Sequence, residues 1–387
     1  MKIAVVHDYF TQLGGAEKVA EELYRMVPEA TLFSTVALSE KMPPSLRNVP
    51  IRNSWMQHMP GMTKYFRLYF LLYPFAVHSL DLSRFDLVLS SSSGYAKGVS
   101  TSPHTLHVCY CHTPMRWAWN FDNYSARDSM SLAARTILPP VIKGLRRWDS
   151  NAARQPDHFI ANSKTVAKRI QATYGRSAEI IYPPVDVDRF RMSDERGEFY
   201  LVLSRLVAYK RLDLAVKACN LLRRNLIVIG DGTHREALMA ESGPTIRFTG
   251  QLPDEDVSYL VSRCRALIFP GEEDFGIAPL EVAAAARPCI AYRAGGAVET
   301  ILEGVTGLFF DQQTPEDLAA CIERFERYEW SPLALRAHAE TFRREVFHDR
   351  MRNFLARVGA PVPRRPASTS AYPTALPELA GEIREAS

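Results

Sequence analysis

The stretch IAVVHDYFTQLGGAEKVAEELYRM, residues 3 to 26, decides how the rest of the chain is read. Ile3 to His7 is a short apolar run of the kind that forms a parallel strand buried on both faces. A loop follows with Gly14 and Gly15 in it, and then a helical pattern through Met26. This strand, glycine loop and helix recur. Further apolar runs occupy Thr31 to Val36, Asp86 to Ser90, Leu106 to Cys111 and His158 to Asn162, with room between them for crossover helices. Alternating strands and helices predict an α/β fold with a parallel sheet covered on both sides.

The rhythm breaks at IIYPPVDVDRF, where Pro183 and Pro184 remove two backbone donors and hold the chain extended. A second series then starts: YLVLSRL from Tyr200, a helix from about Arg211, LIVIGDG at 226 to 232, IRFTG at 246 to 250, ALIFP at 266 to 270 and CIAY at 289 to 292. A chain of 387 residues exceeds one ordinary core. The sequence therefore predicts two doubly wound parallel-sheet domains, residues 1 to 182 and 183 to 340. A helical pattern from Leu333 to Val358 follows, whose last part, residues 341 to 360, is placed to pack back on the first domain. From residue 361 to 387, Pro, Ala, Ser and Thr without periodicity predict a mobile tail.

Composition narrows the function. A charge of +4, from 47 bases and 43 acids, lacks the basic stripe of a nucleic-acid binder. Six scattered cysteines are too few for a disulfide framework, and the charged N-terminus does not resemble a signal peptide, so the reading is cytoplasmic. The apolar run from Tyr69 to Val77 falls short of the ~20 residues that cross a bilayer. Between Lys41 and Leu80 there is no acid, while Lys41, Arg47, Arg52, Lys64 and Arg67 alternate with aromatic residues.

In open parallel sheets, ligands bind beyond the carboxyl ends of the strands, near helix N-termini. GEEDFGIAPLE, residues 271 to 281, stands there: it follows the ALIFP run and enters the next helix. Gly276 permits close backbone approach, and amides at the helix start suit a phosphate or hydroxyl oxygen. Glu273 falls in the loop and Glu281 a little over one turn into the helix, and a carboxylate accepts two hydroxyls of a sugar or ribose. Arg205 and Lys210 in SRLVAYKR suit a pyrophosphate, although two solvated surface bases would look the same.

EEDFGIAPLE, SRLVAYK and AGGAVETI at 294 to 301, together with LGGAEKV, YCHTPMRWAW at 110 to 119, ANSKTVAKRI at 161 to 170 and IYPPVDVDRF, resemble the retaining family-four glycosyltransferases of GT-B architecture. The resemblance spans most of residues 1 to 358. It implies two Rossmann-like domains facing a central cleft. It also implies roles: Glu273 and the amides around Phe275, Gly276 and Ile277 for donor-sugar hydroxyls, Glu281 for the nucleotide ribose, and Arg205 and Lys210 for the diphosphate. Gly14 and Gly15 would let the first helix approach that diphosphate, His112 would lie against the sugar, and Gly230 and Gly232 would border the nucleoside. Neither a divalent metal nor any other cofactor beyond the nucleotide-sugar donor is implied, nor a protein nucleophile. Within the family, HDY near the start with YCHTPMRWAW and YPPVDVDRF is similar to bacterial mannosyltransferases that use GDP-mannose to extend lipid-linked oligosaccharides of O-antigen or exopolysaccharide. UDP-sugars as donors, a nucleotide-sugar epimerase and a non-catalytic nucleotide-sugar-binding protein remain as alternatives.

Other features carry less. His107, Cys109, Cys111 and His112 suggest zinc, but no second ligand pair stands nearby. Gly14-Gly15 lacks the G-x-G-x-x-G spacing of a nicotinamide site. Asp8 reads equally as a cleft residue or a cap. The stretch Arg52 to Phe75, extended by Lys143, Arg146, Arg147 and Trp148, reads either as packing of its own domain or as a surface for anionic lipid and a polyprenyl-diphosphate acceptor, which would make the protein peripheral on the inner face of the cytoplasmic membrane.

Overall fold

The computed structural model describes residues 1–119 and 132–362. By its internal contacts the chain divides into two compact units, one of residues Met1–Pro184 with Arg344–Val362, the other of Val185–Arg343. The expected tail lies, beyond Val362, outside the described residues.

The first unit is built on seven strands: β1 (Ile3–His7), β2 (Thr31–Ser34), β3 (Ile51–Asn53), β4 (Leu87–Ser92), β5 (Leu106–Cys111), β6 (His158–Ala161) and β7 (Ala178–Ile180). All are parallel, in the order β3-β2-β1-β4-β5-β6-β7. Successive side chains on a strand face opposite sides, so Ile3 and Val5 enter one core while Ala4 and Val6 enter another. β1 is buried along its whole length because it is covered on both faces. Helix α1 (Gly15–Met26) supplies Val19, Ala20, Leu23 and Met26 to the first of those cores.

The second unit has β8 (Phe199–Leu203), β9 (Asn225–Ile229), β10 (Ile246–Gly250), β11 (Leu267–Phe269), β12 (Cys289–Tyr292) and β13 (Gly307–Phe310). Its order, β10-β9-β8-β11-β12-β13, is again parallel throughout. Renumbered from its own first strand this is 3-2-1-4-5-6, the Rossmann order, and the first six strands of the other sheet follow it too. Each sheet therefore has a switch point beside its first strand, between β1 and β4 in one and between β8 and β11 in the other. The crevice at such a point is where α/β sheets bind ligands.

Several expected boundaries move. The 226 to 232 run stops as a strand at Ile229, because Gly230 turns the chain with φ 128°. The pattern from Leu333 to Val358 is two helices, Pro332–Glu340 and Arg344–Arg357, not one. Apolar spacing continues through the gap, but the Phe342 carbonyl accepts a hydrogen bond from Val185 N at 2.9 Å, and that long-range pairing interrupts the helix. The second of these helices belongs to the first unit: Phe347, Met351, Phe354 and Leu355 join its core, and Arg344 Nε meets the buried Glu22 at 2.8 Å.

Candidate functional site

In the second unit the loops leaving the carboxyl ends of β8, β9, β11 and β12 lock together through their backbones. Gly230 donates its N–H to the Gly250 carbonyl at 2.8 Å, and any Cβ on Gly230 would overlap the Ser204 carbonyl oxygen. Gly232 is held likewise, against the Leu206 carbonyl, while Leu206 N reaches Asp231 O at 3.0 Å. Gly271 lies so near the Lys210 loop that a Cβ would stand 2.7 Å from the Lys210 carbonyl oxygen. Gly296 donates to the Glu273 carbonyl at 2.8 Å, and a Cβ on Gly295 or Gly296 would overlap the backbone of Glu273 or Phe275. Close approach of backbones is what glycine alone permits.

This frame brings Lys210 and Glu273 together. Lys210 Nζ lies 2.7 Å from Glu273 Oε1, with both side chains less than a fifth exposed. They flank a small recess lined also by Ser204, Phe269, Pro270 and Gly271, at the β8/β11 switch point. Arg205 is exposed on the same β8 loop. Helix α2 (Ile277–Ala284) starts from Gly276, a left-handed residue at φ 88° that has no side chain to cap it. Phe275 is buried just ahead of it, Ile277 opens it and Glu281 is buried within it. Helix Pro332–Glu340 steadies its far end: Arg336 Nη1 donates to the Ala284, Val187 and Phe190 carbonyls at 2.8, 2.9 and 2.8 Å.

In the first unit the switch point is polar and buried. Gly14 caps α1 without a side-chain hydrogen bond, and Gly15 begins the helix. His7 ends β1 and pairs in register with Ser91 of β4. Ser91 Oγ lies 3.1 Å from His7 Nδ1 and 2.8 Å from Nε2 of His112, the residue just past β5. Burial, and then the neighbouring His7, push His112 down to about 3, so this imidazole is neutral at ordinary pH. Asp8 is a cap: its carboxylate accepts from the N–H groups of Ser93, Tyr95 and Ala96 at 2.6, 2.9 and 2.6 Å. His107, forced down to about 4 by burial, meets Ser90 Oγ at 2.8 Å. Burial pushes the thiol of Cys109 up to about 12 and that of Cys111 well above its usual range. Among the described residues no group of three or more His, Cys, Asp and Glu is placed to hold a metal ion.

The sequence reading missed His7, Ser91 and Glu17. Ser91 stands 84 positions from His7, and only the parallel pairing of β1 with β4 joins them. A run of four serines, 90 to 93, at the end of an apolar strand was the available signal. Also unread was a buried ion pair behind the site, Lys97 Nζ to Asp149 Oδ1 at 2.6 Å, with Trp119 Nε1 and Tyr174 OH donating to Asp149 at 2.6 and 2.7 Å.

The aromatic stretch divides between both readings. Tyr73 is in the core, while Tyr65, Leu68, Leu71 and Phe75 stay exposed, Phe75 at 66%. Arg146 is engaged, donating to the Ala118 carbonyl at 2.7 Å, and Trp148 packs against Tyr95, their rings 5.6 Å apart. No helix among the described residues is long and apolar enough to cross a membrane.

Two family descriptions match this chain: Glycosyltransferase Family 4 over residues 13–189 and Glycosyl transferases group 1 over residues 187–342. Together they take in most of both units, and the chain belongs to these glycosyltransferases, with the GT-B fold. It is 30% identical over 208 residues to a GDP-mannose-dependent alpha-(1-6)-phosphatidylinositol monomannoside mannosyltransferase of Mycolicibacterium smegmatis, covering 46% of this chain and 53% of that protein. It is 27% identical over 219 residues to a glycogen synthase of Mycobacterium tuberculosis, covering 52% of each. The chain thus spans about half the length of the curated relatives it matches. Its fold is similar to that of HepE from Anabaena, solved with UDP and glucose, at a TM-score of 0.69 and 18% identity over 92% of this chain and 99% of that one.

Proposed function

We propose that this protein is a retaining glycosyltransferase that moves mannose from GDP-mannose onto a polyprenyl-diphosphate-linked oligosaccharide in bacterial cell-surface polysaccharide synthesis. The observation that carries this reading is the Lys210–Glu273 pair, 2.7 Å apart at the β8/β11 switch point and framed by glycines. In the transfer, positive charge grows on the sugar ring and negative charge on the departing diphosphate. Lys210 and Arg205, with the uncapped amides of α2, neutralise that diphosphate from fixed positions, the kind of preorganised electrostatics that usually contributes most to catalysis. Glu273 and the Phe275 to Ile277 backbone hold sugar hydroxyls, Glu281 the ribose, and Gly230 and Gly232 border the base. Gly14 and Gly15 leave the amides of α1 open to the diphosphate, and His112 serves the sugar as a neutral imidazole. The acceptor hydroxyl attacks the face from which the diphosphate departs; its proton passes to a diphosphate oxygen, and the glycosidic bond forms as the sugar–phosphate bond breaks.

GDP-mannose is favoured by the name of the mycobacterial mannosyltransferase and by the HDY, YCHTPMRWAW and YPPVDVDRF motifs, although the glycogen synthase shows that similar chains carry other names. The exposed Tyr65, Leu68, Leu71 and Phe75 beside Lys64 and Arg67 support peripheral attachment to an anionic membrane surface on its cytoplasmic side, where a lipid-linked acceptor is met.

The test is to supply purified protein with GDP-mannose and a polyprenyl-diphosphate oligosaccharide. A glycan one mannose longer supports the reading; a new nucleotide sugar would make the protein an epimerase, and no product with bound donor would make it a binding protein. A thermal-shift screen of nucleotide sugars selects the donor, since one present at a hundredfold its Kd stabilises by about 2.7 kcal/mol. Reversing the charge of Lys64 and Arg67 should weaken sedimentation with phosphatidylserine vesicles, and unchanged sedimentation would remove the membrane surface from the proposal.

A further inference from the structure

Glu17, His7, Ser91 and His112 form a buried line at the head of the first sheet, none more than 8% exposed. Ser91 Oγ lies between two imidazole nitrogens, His7 Nδ1 at 3.1 Å and His112 Nε2 at 2.8 Å. A serine hydroxyl has one proton to give. Where each ring carries a single proton, one must accept from Ser91 and the other must donate to it, so the two tautomers are coupled. His7 Nε2, at the other end, faces Glu17 Oε1 at 3.9 Å. That is beyond hydrogen-bond length, so the carboxylate acts through its field, which favours an N–H rather than a lone pair on His7 Nε2. The second oxygen, Glu17 Oε2, is buried with no hydrogen-bond partner among the described residues.

We propose that Glu17, acting through His7 and Ser91, sets the tautomer of His112. Glu17 holds the His7 proton on Nε2, so Ser91 donates to His7 Nδ1 and accepts from His112 Nε2–H. His112 Nδ1 is left as a bare acceptor, suited to a hydrogen bond from a sugar hydroxyl. Glu17, His7 and Ser91 are positioning residues, and only His112 meets substrate. Burial keeps His112 neutral, which this arrangement requires. The inference rests on the proposed function for its use of the sugar, but not for the tautomer itself.

The experiment is two-bond proton–nitrogen correlation on full-length, ligand-free protein carrying 15N-histidine, with His112 assigned from the His112→Gln spectrum. In the wild type His112 should be protonated at Nε2. Glu17→Gln removes the carboxylate's field at His7 Nε2 and should shift the His112 proton toward Nδ1, with kcat about tenfold lower and the donor KM within about twofold. Ser91→Ala should give mixed His112 tautomers, and adding Glu17→Gln should change nothing further. Nδ1–H in the wild type, a pure Nε2–H in Ser91→Ala, or an unmoved proton in Glu17→Gln would each overturn the proposal; the first two do not depend on Glu17→Gln folding. The spectra need no turnover, so a correct tautomer without any sugar transfer would sink the proposed function and leave the line of residues standing.

Discussion

The two switch points share one strand order and differ in material. At β1/β4 the first unit uses buried polar side chains: Asp8 gathers three backbone N–H groups, and His7, Ser91 and His112 share a hydroxyl. At β8/β11 the second unit uses backbone packed at glycine around the Lys210–Glu273 pair, whose side chains are less than a fifth exposed. Side-chain networks fix direction and protonation state, at a desolvation cost that must be met in full. Glycine frames let loops pack backbone to backbone and so bring a cation and a carboxylate from different loops to one recess. The first arrangement suits orienting a neutral group, and the second suits receiving an anion.

The largest effect should come from the second unit's charges. Lys210→Ala and Glu273→Ala are expected to lower turnover by about a hundredfold to a thousandfold with the melting temperature nearly unchanged. Wild-type turnover in either would remove that unit's half of the comparison. Next is the buried pair behind the first switch point. Lys97→Met leaves Asp149 uncompensated and should cost about 3–5 kcal/mol in denaturant unfolding, since breaking one side of a buried ion pair strands the other. The frame follows: Gly230→Ala should cost about 3 kcal/mol, because φ 128° and the Ser204 carbonyl both oppose a Cβ. If calorimetry finds it silent, the second site is not held by its backbone.

The smallest effect is on pH. The folded value for His112, about 3, lies below the ordinary 6.5, so the unfolded chain binds more protons between those values. Its stabilising contribution is present above pH 6.5 and is lost as pH falls toward 3. Between pH 7 and pH 5 the wild type should lose about 2 kcal/mol through this residue, and His112→Gln should lose that much less. Equal pH slopes for the two proteins would show that the imidazole is not held neutral by burial.

Much of the fold was legible because double-sided burial writes strands as continuous apolar runs. Ile3–His7, Leu267–Phe269 and Cys289–Tyr292 fall where those runs do. β3 and β7 were not found: each is three residues with its middle residue exposed, at a sheet edge where burial no longer marks the sequence. β13 was also unread, although its four residues are all buried. Asp8 was undecided between cleft and cap until its partners, 84 to 88 positions away, came into reach. AGGAVETI was visible as a motif, yet the work of Gly295 and Gly296 against the Glu273 loop was not.

By itself the sequence determined the two parallel α/β halves, the proline break between them and the short list of charged and glycine positions at strand ends. These depend on local periodicity and backbone freedom, which neighbouring residues encode. Tertiary structure alone decided which of those positions touch: the 2.7 Å contact of Lys210 with Glu273, the hydroxyl shared by His7 and His112, and the helix Arg344–Arg357 joined to the first unit's core. Such contacts depend on strand order and crossover, which bring distant residues together and leave no periodic trace in the chain.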